Sequence, residues 1–244
     1  MIPGGFLPPS FPFPTMSFIP APRAILFDLD GTLADTAPDL AAAVNQLRTE
    51  RGLAPTPYEI LRPTASAGAR GMIGASFGLT PQDEGYEELR QGFFNNYEAA
   101  MSVHSTLFPG VANLLEGIAT AGLAWGIVTN KPARFTDPLM PLIGLDHAAC
   151  VVSGDTTAHA KPHPAPLLEA ANRLGLPPEH CWYAGDDLRD IQAGHAAGMR
   201  TIACQWGYCG ATEPTTWGAD HLAATPDALL ELLLAAVNRA SLAA

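Results

Sequence analysis

Two aspartates stand close together near the start of the chain, in the stretch FDLDGTLADT. Asp28 and Asp30 follow the apolar run AILF, which is typical of a buried strand. Two like charges at close range are costly unless something neutralises them. Mg²⁺ prefers oxygen ligands and is typically held by one or two carboxylates together with phosphate and water. The pair therefore predicts a divalent cation at the end of this strand.

A third carboxylate group occurs in GDDLRD, again at the end of an apolar run. Asp186 and Asp187 would lie at the start of a helix, where the helix dipole favours negative charge. Taken alone, this motif is also explained as a simple helix cap. Together with FDLDGT, it favours a cation site to which both segments contribute.

Two further residues suit a phosphate group. Thr129 closes the run GIVTN and offers a hydroxyl at a strand end that leads into a helix, a good position for binding an anion. Lys161, in AHAKPHPAP, is a compact positive charge in a loop that two prolines would stiffen. A single lysine before a proline is more often an ordinary surface residue, so Lys161 gains its meaning from its place in the order of motifs.

The elements that must position these residues alternate along the chain. Apolar strand-like runs and amphipathic helical segments follow one another, which predicts an α/β fold with a parallel sheet and helices on both faces. Ligands of such sheets bind outside the carboxyl ends of the strands. The predicted strands are 24–28, 123–130, 150–154, 181–186 and 200–204, and the predicted helices of the core are 111–121, 132–143, 164–174, 188–197 and about 226–236. The polar residues that end three of these strands should therefore converge at one edge.

One segment interrupts the alternation. Residues 38–103 contain helix-like stretches without an intervening strand, so we expect an all-helical insert there. The core would then comprise residues 23–37 and 104–244. Residues 1–22 are rich in proline and phenylalanine and lack the basic start and uninterrupted apolar run of a signal peptide, so we expect a disordered lead.

The composition limits the function. The chain has 244 residues, of which 48% are hydrophobic and 15% charged, with a net charge of −11. This acidic balance argues against a nucleic-acid binder and requires a local positive site for any anionic substrate. No apolar stretch is long enough to span a membrane. The four cysteines show no metal-binding spacing and indicate a reduced protein, so we expect a cytoplasmic location.

The ordered motifs FDLDGTLADT, IVTNK, AKP and GDDLRD resemble the haloacid dehalogenase superfamily of aspartate-nucleophile hydrolases. The resemblance covers the chain from about Ala24 to its C-terminus. It implies a Rossmann-like core, a helical cap of the C1 type inserted after the first strand, and Mg²⁺ as cofactor. Through it Asp28 looks like the nucleophile, and Asp30 like the acid/base that also contacts Mg²⁺ through its main-chain carbonyl.

The same resemblance implies roles for the remaining candidates. Thr129 and the Asn130 backbone would hold phosphate oxygens, and Lys161 would balance the charge of the nucleophile and the phosphoryl group. Asp186 would join Asp28 and Asp30 at the metal, with Asp187 and Asp190 as nearby support. An acid/base at Asp30 favours phosphate monoesters over halides, because halide leaves without a proton.

The substrate is expected to be a small phosphorylated metabolite selected by the helical insert. Arg70, in the glycine-rich stretch TASAGARGMIG, suits a carboxylate or a sugar oxygen, and the alternative is a solvated residue of a flexible helix connection. The broad resemblance is to phosphoglycolate phosphatases, and a closer one is to N-acetylmuramic acid 6-phosphate phosphatases of peptidoglycan recycling. A sugar phosphomutase of the same cap type and a non-catalytic binding or regulatory relative are the alternatives. The sequence does not predict an oligomeric state.

Overall fold

The computed structural model describes residues 21–210 and 212–243, with side chains up to residue 239. The proline-rich segment that we expect to be disordered lies almost entirely outside this range. None of the described helices is both long and apolar enough to cross a membrane.

A six-stranded parallel sheet forms the centre of the molecule, and a two-stranded antiparallel ribbon stands beside it. The sheet order is β5-β4-β1-β6-β7-β8, and the ribbon pairs β2 with β3. The strands are β1 (Ala24–Phe27), β2 (Ala34–Asp35), β3 (Thr106–Leu107), β4 (Ala124–Val128), β5 (Val151–Val152), β6 (Cys181–Gly185), β7 (Arg200–Cys204) and β8 (His221–Ala223). The predicted parallel α/β sheet is thus confirmed.

Strand β1 occupies the middle of the sheet, between β4 and β6. Its four residues are fully buried because both faces of the sheet are covered. Ile25 and Phe27 pack into the larger apolar cluster, and Ala24 and Leu26 into a second one on the opposite face. This explains why AILF is a continuous apolar run instead of an alternating one.

The helices that cover the sheet follow the strands as the sequence indicates. Their observed ends lie within one residue of the predicted ends, except for the last helix, which extends seven residues further than expected. Nine α-helices are described: α1 (Ala37–Glu50), α2 (Tyr58–Leu61), α3 (Gly68–Phe77), α4 (Tyr86–Ala99), α5 (Val111–Thr120), α6 (Ala133–Leu142), α7 (Ala165–Arg173), α8 (Leu188–Ala196) and α9 (Pro226–Ala243).

The first four helices lie between the two strands of the ribbon. Helices α1 to α4 follow β2, and the chain returns to the core through β3. Helix α1 packs against α3 and α4. The segment is therefore helical and enters and leaves the core at one place, while its action as a separate cap stays a prediction.

The glycine-rich stretch around Arg70 is not a loop. Arg62–Ala67 forms a 3₁₀ helix, and α3 begins directly after it at Gly68. A Cβ atom at Gly71 would lie 2.2 Å from the carbonyl oxygen of Thr64. The glycine therefore lets α3 pack tightly against the preceding 3₁₀ turn.

Two features of the fold do not follow from the sequence pattern. Strand β8 has only three residues, one of them the exposed Leu222, so it lacks an apolar run. The ribbon strands have two residues each, which is too short for a period to be visible. The cysteines agree with the expectation: Cys150, Cys181 and Cys204 are buried and all four thiols are free.

Candidate active site

The sheet order brings the predicted site residues together. Strand β1 ends between β4 and β6, so the residues that follow these three strands meet at one edge. Asp28 follows β1, Thr129 follows β4 and Asp186 follows β6. All three are buried. A cavity of about 280 Å³ lies over this edge, and helices α3 and α4 form its opposite wall.

Asp28 sits at the base of this cavity, with a carboxylate that is held firmly in place. Its Oδ1 accepts a hydrogen bond of 2.7 Å from the Leu29 amide and lies 2.9 Å from Nζ of Lys161. Burial raises its pKa to about 6, helped by the negative charges of Asp190 and Asp30 and opposed by the Lys161 ammonium. The positive charge around Asp28 therefore does not offset the effect of burial, which disfavours the ionised carboxylate.

Asp186 and Asp190 complete a buried acidic triad with Asp28. One ligand oxygen from each residue lies within 4.8 Å of the others. Asp186 accepts hydrogen bonds from the Thr32 hydroxyl and the Tyr208 amide, at 2.9 and 2.8 Å. Burial, followed by the charges of Asp28 and Asp190, raises the pKa of Asp186 well above its ordinary value.

Lys161 is the cation nearest to this triad. Its side chain is 2% exposed, and Nζ lies 2.7 Å from Asp190 Oδ1. Nζ also donates to the Tyr183 hydroxyl and the Val128 carbonyl. The side-chain amide of Asn130 fixes the backbone of Lys161 through two hydrogen bonds, 2.9 and 3.0 Å long. Asn130 thus positions the lysine loop, a role that the sequence does not indicate.

Three carboxylates therefore surround one ammonium group, which leaves excess buried negative charge. A divalent cation with oxygen ligands would neutralise it. Gly31, at φ +90°, provides the space: a Cβ atom there would lie 2.2 Å from Asp186 Oδ2. Asp190 accepts from the Lys161 ammonium and from the Asp187 amide, whereas Asp186 accepts from neutral donors, and Asp28 lies at the base of the cavity. Asp28 and Asp186 are therefore the better carboxylate ligands. The donor set fits Mg²⁺.

Asp30 is held away from the triad by a lysine that sequence reasoning missed. Lys131 Nζ donates to both carboxylate oxygens of Asp30, at 3.0 and 3.3 Å, and the Thr36 hydroxyl donates to Oδ1. The ammonium lies 4.6 Å from the ring centre of Tyr97 on α4. Burial alone would lower the pKa of Lys131, but Asp30 and Tyr97 outweigh it and raise it. The sequence feature that could have identified Lys131 as a site residue is its position directly after Thr129 and Asn130.

Asp187 caps α8 and does not face the triad. Its side chain accepts from the Arg189 amide and pairs with the Arg189 guanidinium at 2.8 Å, and Asp190 completes a capping box. Arg189 also donates to the Ser66 carbonyl, 2.8 Å away, on the helical insert. Asp187 thus orients a contact between the core and the insert.

Thr129 and Arg70 line the cavity from different elements, Thr129 from the sheet edge and Arg70 from the helical insert. The Thr129 hydroxyl is buried and accepts a hydrogen bond of 3.1 Å from the Lys131 amide. Arg70 belongs to the first turn of α3, is exposed, and lines the cavity from the insert. The structure thus brings the predicted residues to the lining of one cavity, except Asp186, which lies beside the cavity in the triad with Asp28 and Asp190.

Comparison with known proteins places this geometry in a family. The family model for haloacid dehalogenase-like hydrolases matches residues 25–204. An N-acetylmuramic acid 6-phosphate phosphatase of Pseudomonas putida is 44% identical over 200 residues, covering 81% of this chain and 90% of that protein. A phosphoglycolate phosphatase of Xanthomonas campestris pv. campestris is 45% identical over 212 residues, covering 86% and 96%.

A solved structure agrees with these relatives. The crystal structure of a predicted phosphoglycolate phosphatase from Haemophilus somnus 129PT superposes with a TM-score of 0.78 at 26% identity, covering 86% of this chain and 97% of that one. The region matched by the family model, residues 25–204, contains β4, β6, β1 from its second residue, and the acidic triad at the ends of these strands. The chain therefore belongs to the haloacid dehalogenase-like hydrolase family.

Proposed function

We propose that this protein is a Mg²⁺-dependent phosphomonoester hydrolase that acts through a covalent aspartyl-phosphate. The observation that carries the proposal is the buried acidic triad, with Asp28 2.9 Å from Lys161, at the base of a cavity that also contains Asp30 and Thr129. The named activities of the relatives support the reaction type.

In the first step the Asp28 carboxylate attacks phosphorus, and the bond to the leaving oxygen breaks. Lys161 balances the negative charge of Asp28 and of the bound phosphoryl group, and the Thr129 hydroxyl and the Asn130 backbone hold phosphoryl oxygens. Asp30 delivers a proton to the leaving oxygen. For this it must leave the ion pair with Lys131, so substrate binding or a movement of α4 has to change that contact.

In the second step water attacks the phosphoryl group and Asp28 is released. Asp30, now ionised, accepts the proton of the attacking water. Asp28 and Asp186, with the main-chain carbonyl of Asp30, would hold Mg²⁺, which supplies positive charge to the phosphoryl oxygens. The helical segment from α1 to α4 acts as the cap that shields these steps from bulk water.

The relatives leave two substrates for the same reaction. The two compared above are almost equally similar to this chain, and one is named for 2-phosphoglycolate and the other for N-acetylmuramic acid 6-phosphate. We propose that the substrate is a small phosphorylated metabolite of this kind.

Hydrolysis of p-nitrophenyl phosphate tests the reaction class independently of the natural substrate. We expect turnover with Mg²⁺, loss of turnover with EDTA, and recovery when Mg²⁺ is added in excess of EDTA. Turnover that is unchanged in EDTA would contradict the metal, and no turnover of any phosphomonoester under all conditions would contradict the reaction class.

A further inference from the structure

One face of helix α4 forms a continuous wall of the cavity. Tyr86, Arg90, Phe93, Phe94 and Tyr97 all line it, and their spacing of three, four or seven residues places them on one side of the helix. The wall is therefore mainly aromatic and carries a single cation. Such a wall suits the apolar side of a ring more than a two-carbon chain.

Positions along helix α4 show how far Arg90 lies from the catalytic end of the cavity. Tyr97 marks the catalytic end, because its ring lies 4.6 Å from Lys131 Nζ, which pairs with Asp30. Arg90 precedes Tyr97 by seven residues on the same helix, which corresponds to roughly 10 Å along the helix axis. The cation on this wall is therefore remote from the reacting phosphoryl group.

A second arginine joins Arg90 at the remote end. Arg70 reaches the cavity from α3, and both positive charges act on the hydroxyl of Tyr86, lowering its pKa against the stronger effect of burial, which raises it. The hydroxyl of Ser66, which also lines the cavity, is buried and has no hydrogen-bond partner among the described residues. The remote end thus offers two guanidinium groups, and the unsatisfied Ser66 hydroxyl lies on the cavity wall where the insert contacts Arg189 of the core.

The guanidinium of Arg90 is supported by an aromatic ring, and the acidic partner that balances its charge is exposed. The Arg90 guanidinium lies 4.7 Å from the ring centre of Phe94, which supports its orientation. Its ion pair with Glu87 is an exposed i,i+3 contact, in which the glutamate side chain is 72% exposed. Exposed pairs of this kind contribute little, so an anion inside the cavity can compete for the remaining N–H donors.

We propose that Arg70 and Arg90 form a second anion site, and that the substrate is a phosphomonoester whose carboxylate is separated from the phosphate by a ring-sized body, that is, a phosphorylated acidic sugar. The inference rests on the phosphatase activity proposed above. A two-carbon phospho-acid cannot use both ends, because its phosphorus and carboxylate carbon are no more than about 4 Å apart. The net charge of −11 makes such a local positive site necessary for a multiply charged substrate.

A matched pair of substrates tests the second anion site. N-acetylmuramic acid 6-phosphate and N-acetylglucosamine 6-phosphate differ in the lactyl carboxylate and share the ring and the phosphate. We expect kcat/KM of the wild-type protein to be about tenfold or more higher for the carboxylated sugar, the usual effect of a charge-assisted hydrogen bond. We also expect it to exceed kcat/KM for 2-phosphoglycolate. Equal values for the two sugars, or a preference for 2-phosphoglycolate, would overturn the inference.

Variants locate the site within the cap. Arg90→Ala and Arg70→Ala should each lower the ratio of the two kcat/KM values towards one. Arg51→Ala is the control, because Arg51 also forms an ion pair with a glutamate of α4 but does not line the cavity. A ratio that Arg90→Ala and Arg70→Ala leave at the wild-type value would overturn the assignment. If the wild-type protein hydrolyses p-nitrophenyl phosphate but ignores the carboxylate, only this inference fails; if it hydrolyses no phosphomonoester, the proposed function fails.

Discussion

A largely buried ion pair joins Lys131 to Asp30 at the candidate active site. The Lys131 side chain is 5% exposed and that of Asp30 15% exposed, so each charge depends on the other. The pair also touches Tyr97 on the helical insert. The proposed acid/base residue Asp30 is therefore held by a lysine that also contacts helix α4.

Replacing Lys131 by Met should destabilise the protein, because it leaves the Asp30 carboxylate poorly solvated and without its cation. We expect the free energy of unfolding to fall by about 2 to 3 kcal/mol. Urea denaturation followed by circular dichroism measures this change. The double variant Asp30→Asn/Lys131→Met should recover part of the loss, since the unpaired charge is gone. A Lys131→Met variant as stable as the wild type would show that the pair is not formed in solution.

At this scale the sequence predicted the residues that stand at strand ends. Asp28, Thr129 and Asp186 follow apolar runs, and the rule that parallel strands end at one edge brings them together. The sequence could not show that Lys131 would turn towards Asp30, because 101 residues separate the two. The side-chain bonds of Asn130 to the Lys161 backbone were hidden for the same reason.

The start of helix α1 shows how a distant element completes a local one. Thr36 precedes the helix, but its hydroxyl is engaged by Asp30 and makes no cap. The Tyr208 hydroxyl accepts hydrogen bonds from the Thr36 and Ala37 amides instead, at 2.8 and 2.9 Å. It donates to Asp35 at 3.1 Å. The loop after β7 thus caps the first helix of the insert.

Removing this hydroxyl with Tyr208→Phe should leave two buried amides without a partner. We expect the free energy of unfolding to fall by about 1 to 2 kcal/mol. The matched control is Tyr58→Phe, because the Tyr58 side chain is exposed and its hydroxyl only accepts from Arg62. That variant should change stability by no more than about 0.5 kcal/mol. Equal effects of the two substitutions in urea denaturation would contradict the capping role of Tyr208.

The elements themselves were predictable where a period or a flanking glycine was visible. The helices of the core fit this description, and their ends were correct to within one residue except in α9. The 3₁₀ helix and α3 were missed because two glycines and an alanine in GARG mask the amphipathic pattern. The cap provided by Tyr208 joins residues 172 positions apart, which no local pattern contains.

For the whole molecule, the buried negative charge at the sheet edge is a cost that Mg²⁺ would offset. Burial raises the pKa of Asp28 to about 6 and raises that of Asp186 well above the ordinary value of an aspartate. In the absence of metal, the folded protein therefore holds protons that the unfolded chain has already released above about pH 4. The stability that these carboxyls contribute is fully present below that pH and is lost as the pH rises through 6 and beyond.

Mg²⁺ binds the ionised carboxylates, so its effect on stability should increase with pH. The test uses 5 mM Mg²⁺, a concentration of about the order that saturates such sites. We expect the rise in Tm that it causes to be larger at pH 7.5 than at pH 5. Thermal denaturation with Mg²⁺ or EDTA at each pH measures it. In Asp186→Asn the rise should be small at both values. A Mg²⁺-induced rise in Tm that is independent of pH in the wild type would contradict the raised pKa values of Asp28 and Asp186.

The proposed reaction depends on Asp28 as the nucleophile, and the Asp28→Asn variant tests this role. The amide has nearly the same shape but cannot attack phosphorus, so kcat for p-nitrophenyl phosphate with Mg²⁺ should fall by at least about a thousandfold. Asp146→Asn, at an exposed position outside the cavity, is the control and should retain wild-type turnover. We expect the Asp28→Asn protein to be folded, as judged by circular dichroism and Tm, and to release almost no p-nitrophenol. A folded variant that turns over at the wild-type rate would contradict this role of Asp28.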